Sequence, residues 1–515
     1  MKKIKTIYSL LILLLPALLP AQEKQVRLTL PGCIEIAIDN TLTALQAKNV
    51  YLAAYWEYRT YQAQRLPSAT LQLTPIQYNS NFIKRYDYNQ NIEVYRQQQS
   101  YSASGGLSIY QNFDLTGGTF SLDTELNFMR NFGDNVYTQY SSVPIRIGYS
   151  QSLFGFNSFK WQRKIEPLKY EKAKKQFLYS REEIAEKTVS YFFNLAAAQA
   201  EYELAVENIA STDSLYAAGK ERRRIASISE ADLMTLELDL INAENNYENV
   251  VLQLERALSS FRSFLNMDND TEIELELPHQ CNSFLIPEED ALLLVKSNNP
   301  VILSYRQQIL EAEQAVDRTS KTAGFDASLS ASVGFNQAAE FLKDVYSDPL
   351  RQDVFRISVS IPVVDWGIRK GKVNMAKNNL NATKLSVQQN EQDLEQEVSI
   401  LISEFNKQQN LIQKATKALN IAVDSYTINK RRFIIGKADI NTVTLSLNRR
   451  KEAQRNYISS LKNYWRCYYN IRKLTLYDFE KKMDLSFSSG NLARSIVTNW
   501  LHSSSYYEQS TALTR

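Results

Sequence analysis

After Pro362 the 515-residue chain contains no further proline, and between Gly371 and Gly490 its only glycine is Gly436. Between Gly155 and Pro278 the only breakers are Pro167 and Gly219. Stretches of about a hundred residues with so little to interrupt the backbone fold as long helices. The apolar spacing gives the helix type. Ile184, Thr188, Tyr191, Leu195, Ala198, Tyr202, Ala205 and Ile209 recur at alternating steps of four and three, the 3.5-residue period of a left-handed coiled coil. A second stripe runs from Leu233 to Phe264, a third from Leu394 to Tyr426 with one polar interruption at Gln408, and a fourth from Ala453 to Leu474. Cys467 falls on the fourth stripe, which reads as packing rather than a reactive thiol. The 65 residues from Phe156 to Lys220, at about 1.5 Å each, make a rod of roughly 100 Å.

The rest of the chain alternates with period two. Thr119 to Met129 places Phe120, Leu122, Leu126 and Phe128 on one face and Ser121, Asp123, Glu125 and Asn127 on the other. Phe355, Ile357, Val359, Ile361 and Val363 alternate in the same way, as do residues 69–77, 105–113, 145–153 and 327–335. Strands of about nine to eleven residues with one apolar and one polar face match transmembrane β-strands. A soluble sandwich also has an apolar inner face. Charges and serines on the polar face, with linkers rich in Tyr, Asn and Gln, favour the membrane reading. Trp161 and Trp366, just past strand ends, fit an interfacial aromatic belt.

Composition removes most chemistry. The only histidines are His279 and His502, so a Ser/His/Asp triad or a His-rich metal site has almost no raw material. Cys33, Cys281 and Cys467 are too few and too far apart for a disulfide framework or a CxxC metal site. We therefore expect no enzyme, cofactor or metal. A carboxylate-based glycosidase would need a pocket, for which coiled-coil stripes over half the chain leave little room. Residues 1–21 read as a cleaved secretory signal, with three lysines before an apolar core. Its removal takes the formal charge from +3 to 0, which gives a nucleic-acid partner no support. Leu30-Pro31-Gly32-Cys33 lies more than ten residues beyond the apolar core, so Cys33 reads as buried or neutral rather than lipidated.

The two textures repeat. Shifting the chain by 210 residues aligns Arg146–Arg262 with Arg356–Arg472 without a gap, with identities that include Arg146/Arg356, Ser150/Ser360, Arg222/Arg432, Tyr247/Tyr457 and Arg262/Arg472. Upstream the offset is about 258, so the first copy carries roughly 48 extra residues between about Tyr78 and Tyr140. The expected organisation is a signal over 1–21, a first repeat over 22–278, a second over 279–480 with strands in 327–363, and a tail over 481–515. Each repeat reads helix, strands, long helix, tight turn, returning helix. The turns fall near residues 226 and 436, and Ser229 and Asp439 occupy the same offset as N-caps of the returning helices.

The fold class is α+β: long coiled-coil hairpins combined with membrane strands too few to close a barrel in one chain. An open edge in lipid leaves unpaired amides at several kcal/mol each, so spanning strands force oligomerisation. The signal, the duplicated layout, the segments Gln151-Ser-Leu-Phe-Gly155 and Ile361-Pro-Val-Val-Asp-Trp-Gly367, and the tips Ile228-Ser-Glu-Ala-Asp-Leu233 and Ile435-Gly-Lys-Ala-Asp-Ile440 resemble the TolC-type outer membrane efflux proteins. The resemblance covers residues 28–480. It implies a homotrimer with a 12-stranded barrel in outer-membrane lipid and a periplasmic α-barrel. It further implies an exit duct for a tripartite pump or type I secretion system, served by a periplasmic adaptor (membrane fusion) protein and an inner-membrane transporter. A non-pore periplasmic adaptor or structural coiled-coil protein is the alternative, against which two equivalent hairpins speak.

Carried onto this chain, the resemblance places the adaptor contact at Arg224, Ile225, Ala226, Ser227, Gly436, Lys437 and Ala438. Ala226 stands where the family has a glycine, which bears on the first turn's conformation. Asp232 matches an acidic residue of the periplasmic entrance, and equally reads as a favourable charge at a helix start. The acidic positions six and nine residues after the second tip glycine are instead Thr442 and Leu445. Arg146 and Arg356 either line a barrel lumen or pair with neighbours. The extra segment of the first copy either projects as an extracellular hairpin, the favoured reading, or adds strands to the barrel.

Overall fold

The computed structural model describes residues 25–87, 91–132, 136–225, 227–268, 272–278 and 284–485. The signal segment, Ala226, Cys281, both histidines and the tail beyond Leu485 lie outside the described residues. The chain divides into two compact units, one of Met1–Asn49, Gln176–Asn299 and Glu395–Arg515, the other of Val50–Lys175 and Pro300–Leu394.

Both halves of the chain build the same helices in the same order. The first half gives α1 (Leu30–Asn40), α2 (Leu42–Ala63), α3 (Ser158–Arg224) and α4 (Glu230–Leu265). The second gives α5 (Glu288–Asn298), α6 (Pro300–Ala323), α7 (Ile368–Ile434) and α8 (Ile440–Thr475). Helices α3 and α7 have 67 residues each, α4 and α8 have 36 each, and the 210-residue shift superimposes both pairs end to end. Pro167 and Gly219 lie within α3 without ending it.

In the first unit many of the stripe residues lie in the core. Ile184, Thr188, Leu195 and Ala205 of α3 are buried, as are Leu236, Ala243, Val250 and Phe261 of α4, Val398, Leu401 and Phe405 of α7, and Tyr464, Cys467, Ile471 and Leu474 of α8. Rings meet across the hairpins at these positions: Tyr191 with Phe264 at 4.3 Å, Tyr202 with Tyr247 at 5.8 Å, and Phe405 with Tyr464 at 5.2 Å. Phe192 and Phe193 are also buried, so α3 hides more than a two-position seam. Cys33 and Cys467 are packed inside, and burial pushes their thiols up to about 12 and about 11. Strand β1 (Gln25–Thr29) pairs in parallel with β6 (Glu272–Glu276). At the end of α8, Arg472 bridges Glu182 and Asp478 at 3.0 Å each, and the Tyr468 hydroxyl donates to Asp478 at 2.7 Å.

The second unit carries one six-stranded sheet. Its strands are β2 (Ser68–Asp87), β3 (Ile92–Phe113), β4 (Gly118–Phe132), β5 (Tyr137–Ser152), β7 (Asp326–Ala339) and β8 (Leu350–Ser360). The order is β2-β3-β4-β5-β7-β8, with every neighbouring pair antiparallel. β2 begins 258 residues before β7, and β5 aligns with β8 at 210, so β3 and β4 are the strands without a counterpart in the second half.

Several expectations change here. The strands of the first half have 15 to 22 residues rather than nine to eleven, because pairing continues beyond the alternating segments into polar sequence such as Gln97-Gln98-Gln99. The extra segment supplies two full members of the sheet instead of only a projecting hairpin. The β2–β3 hairpin does overshoot, since Ile92–Gln98 pair with β2 alone while β4 pairs with β3 only from Gln99 on. β8 stops at Ser360, not Val363, because Pro362 has no amide hydrogen for a ladder. Trp161 is no belt residue: it is buried on α3, with its indole donating to the Asp317 carboxylate at 2.8 Å.

Candidate functional site

The register of the sheet sorts its side chains into two unlike faces. On one lie Leu71, Leu107, Leu122, Ile147, Val333 and Ile357, each exposed despite being apolar. Aromatic contacts cross β3, β4 and β5 at two levels of this face. Tyr101, Phe128 and Tyr140 follow one another at 5.8 and 5.1 Å, and Phe113, Phe120 and Tyr149 at 6.4 and 4.6 Å. Phe120 and Phe128 are eight residues apart on β4, about 27 Å along the strand at about 3.4 Å per residue. These dimensions match the apolar band of about 25 Å, bounded by aromatic girdles, that the outer surface of a membrane barrel carries.

The other face is small and polar. Ser104, Gly106 and Ser108 of β3, Ser121, Asp123 and Glu125 of β4, Arg146 and Gly148 of β5, Ser330, Ser332 and Gly334 of β7, and Arg356 and Ser358 of β8 share it. The Arg146 guanidinium sits 3.5 Å from the Asp123 carboxylate on the neighbouring strand. Arg356 is opposite Ser330 on the same face, with β7 between it and β5. Both arginines therefore lie on the polar face, and Arg146 is ion-paired there with its neighbour Asp123. Gly334 is required beside it: a Cβ there would lie 2.7 Å from the Ile145 carbonyl and 2.9 Å from the Arg146 Cα. The pairing of β5 slips at Val143-Pro144, against β4 and β7 alike, where proline removes a ladder donor.

The hairpin tips are built from paired stop and start signals. Arg432, Phe433 and Gly436 close α7: the Gly436 amide donates to Phe433 at 2.9 Å and the Lys437 amide to Arg432 at 2.8 Å, with Gly436 at φ +77°. This is the Schellman turn that favours glycine. At the first tip the Ser227 amide makes the equivalent bond to Arg222 at 2.8 Å. The returning helices start on side-chain caps. Ser229 Oγ accepts from the Asp232 amide at 3.1 Å while the Asp232 carboxylate accepts from the Ser229 amide at 3.1 Å and hydroxyl at 2.7 Å. The Asp439 carboxylate accepts from the Thr442 amide at 2.7 Å and hydroxyl at 2.9 Å. These bonds hold both carboxyls below the usual aspartate range.

Ala226 of the predicted tip set lies outside the described residues, and the other six flank the two turns. Leu215, Leu236, Tyr426, Phe433, Ile440 and Val443 form one core, with Ile228 and Ala438 packed against it from the two turns. Ile225, Ser227, Gly436 and Lys437 are exposed around it, and Arg224 pairs with Glu221 at 3.1 Å. Arg222 escaped the sequence reading as a site residue. It donates to the Phe433 carbonyl at 3.3 Å and lies 5.2 Å over the Phe433 ring, fastening one tip to the other. Its identity with Arg432 across the duplication was the available signal, yet Arg432 instead donates to Lys437 in its own turn. Among the described residues, no helix is long and apolar enough to cross a membrane.

Comparison with known proteins agrees with this architecture. Residues 292–475 match the sequence model of the outer membrane efflux protein family. No curated protein matches the chain. The fold is similar to the CmeC outer membrane channel of Campylobacter jejuni, with 14% identity, a TM-score of 0.64, and coverage of 90% of this chain and 88% of that one. VceC of Vibrio cholerae gives 13%, 0.61, 87% and 95%. The open-state MtrE channel of Neisseria gonorrhoeae gives 14%, 0.58, 89% and 91%. The resemblance to TolC-type outer membrane efflux proteins therefore holds, in the second half by sequence and over the chain by fold. That family is one of outer-membrane channels, not enzymes, and its location is the outer membrane with the helical part in the periplasm.

Proposed function

We propose that the protein is the outer-membrane exit duct of a tripartite efflux pump or type I secretion system, passively conducting solutes delivered by an inner-membrane transporter through a periplasmic adaptor. The single observation that carries this reading is the two-faced sheet, which exposes an apolar, aromatic-bounded face and a face of serine, glycine and charge. A sheet with these two faces suits a wall between lipid and water. Three copies close the wall, because one sheet with two open edges cannot persist in lipid. Arg146 and Arg356 then line the lumen. The adaptor meets the tips at Arg224, Ile225, Ala226, Ser227, Gly436, Lys437 and Ala438, where Ile225 and Ile435 expose apolar side chains around a fixed turn pair. Asp232 contributes its charge to the periplasmic entrance from within its capping box.

Planar-bilayer recording of the purified protein, alongside its mass in detergent, tests the reading. Discrete conductance steps from a trimer are expected. A monomer that neither inserts nor conducts would overturn it in favour of a non-pore adaptor.

A further inference from the structure

Among the described residues, the sheet ends in two open edges, β2 and β8. Every residue of β8 is exposed, and so is every β2 residue whose exposure is described, except Thr74. The two edges run in opposite directions, because an even number of antiparallel strands separates up from down. A second copy can therefore add its β2 to β8 without breaking the alternation. The patterns also agree, since Phe355, Ile357 and Val359 continue the apolar face on one edge while Ala69, Leu71 and Leu73 do so on the other.

Beyond each edge lies a feature that has no partner among the described residues. After β8 come Ile361, Val363, Val364 and Trp366, with Trp366 94% exposed and held at φ +54°, a conformation unusual for a bulky residue. It is fixed by Asp365, whose carboxylate accepts from the amides of Gly367 and Arg369 at 3.1 Å each. Before β2 lies a cleft of about 990 Å³ lined by Trp56, Arg59, Leu66, Phe113, Leu115 and Arg163 among others. Antiparallel pairing sets the end of β8 beside the start of β2, and so the exposed linker beside this cleft.

We propose that β8 of one copy pairs with β2 of the next, that three copies so close a barrel of eighteen strands, and that the linker carrying Trp366 seats in the cleft at Trp56 of the neighbour. The proposal rests on the trimeric duct reading and departs from the twelve strands that the family resemblance implies. Arg59 and Arg163 suit the ring of Trp366, since the indole is the best of the aromatic faces for a cation. Barrel diameter grows with strand number, so the lumen is roughly half as wide again as that of a twelve-stranded wall. The small polar face is in keeping with a lumen left open rather than filled.

Cysteine pairs test this on the full-length protein in outer membranes. Val359→Cys combined with Ala69→Cys, or with Leu71→Cys to allow a two-residue slip, is oxidised and run without reductant. Cys33 and Cys467 are buried, and wild type with each single variant controls for these and for Cys281. Covalent dimers and trimers that require both new cysteines are expected, and strand counting by electron cryo-microscopy in nanodiscs should give eighteen. Trp366→Ala should lower the temperature at which the trimer dissociates in detergent, while Trp366→Phe should retain most of it. A trimer that conducts yet yields no cross-link, or shows twelve strands, overturns the proposal and leaves the duct reading intact. A monomer that does not conduct overturns the duct reading itself.

Discussion

Asp439 and Ser229 occupy one position of the repeat and do one job by two chemistries. Asp439 caps with a carboxylate, whereas Ser229 caps with a hydroxyl and borrows the Asp232 carboxylate to complete a box. Both carboxyls titrate below the ordinary aspartate value, so their contribution is full at neutral pH and disappears as pH falls through the lowered values. The first turns of α4 and α8 are thus expected to fray first in acid. Amide exchange over residues 230–235 and 440–445, corrected for the intrinsic pH dependence of exchange, measures this. Asp439→Asn should keep the cap and abolish the acid sensitivity at α8, while Asp439→Ala should raise exchange there several-fold at every pH. These roles were legible in the sequence because a cap is a local event of three residues. Arg222 was not: its grip on Phe433 spans 211 residues, and no local pattern distinguishes it from Arg432, which turns back on its own helix.

At the scale of elements, the starts of the returning helices were legible, since Ser229 and Asp439 cap at one offset, whereas the first rod, read as 156–220, runs from Ser158 to Arg224. Many stripe positions are buried, but Tyr191 of the first stripe is exposed. Strands fared differently. Alternation marks only the part of a strand that separates lipid from water, so the polar outer reaches of β2 and β3 went unread, and Ile361 and Val363 extended a pattern that Pro362 terminates. Trp161 was misplaced because a tryptophan's position says nothing of which way it points. The knot at the end of α8 was likewise invisible, as it joins Arg472 and Asp478 to Glu182, 290 residues away. Arg472 is held between two carboxylates, all three side chains being less than one-fifth exposed. Burial pushes Glu182 upward against the pull of Arg472, while amide and Tyr468 bonds keep Asp478 low. Arg472→Ala strands two buried carboxyls and should cost about 3–5 kcal/mol in denaturant unfolding. Adding Glu182→Gln should recover part of that loss, and a purely additive double variant would show that the two do not interact.

For the whole molecule, the decisive change is an insertion that leaves the repeat's helices untouched. β3 and β4 run away from and back to the far end of the sheet, so the chain returns to the residue pair where β5 begins, and only an even number of strands could be inserted on those terms. Their turn is tied down at the helical end of the sheet by Asn157, whose amide donates to the carbonyls of Asp114 at 3.0 Å and Leu115 at 3.3 Å, and by the ion pair of Arg65 with Asp114. If the insertion widens the wall, its removal should narrow it. Replacing residues 82–139 by the shorter loop 340–349 of the second half gives the first half the same two-strand layout, with β2 brought against β5. Apolar residues still meet apolar ones there, as Ala69, Leu71 and Leu73 face the side of the sheet that carries Ile145 and Ile147. The expected product is a trimer whose conductance falls to roughly half, following the square of a diameter reduced in proportion to strand number. An unchanged conductance would mean that β3 and β4 stand outside the conducting wall, although they share its hydrogen bonds.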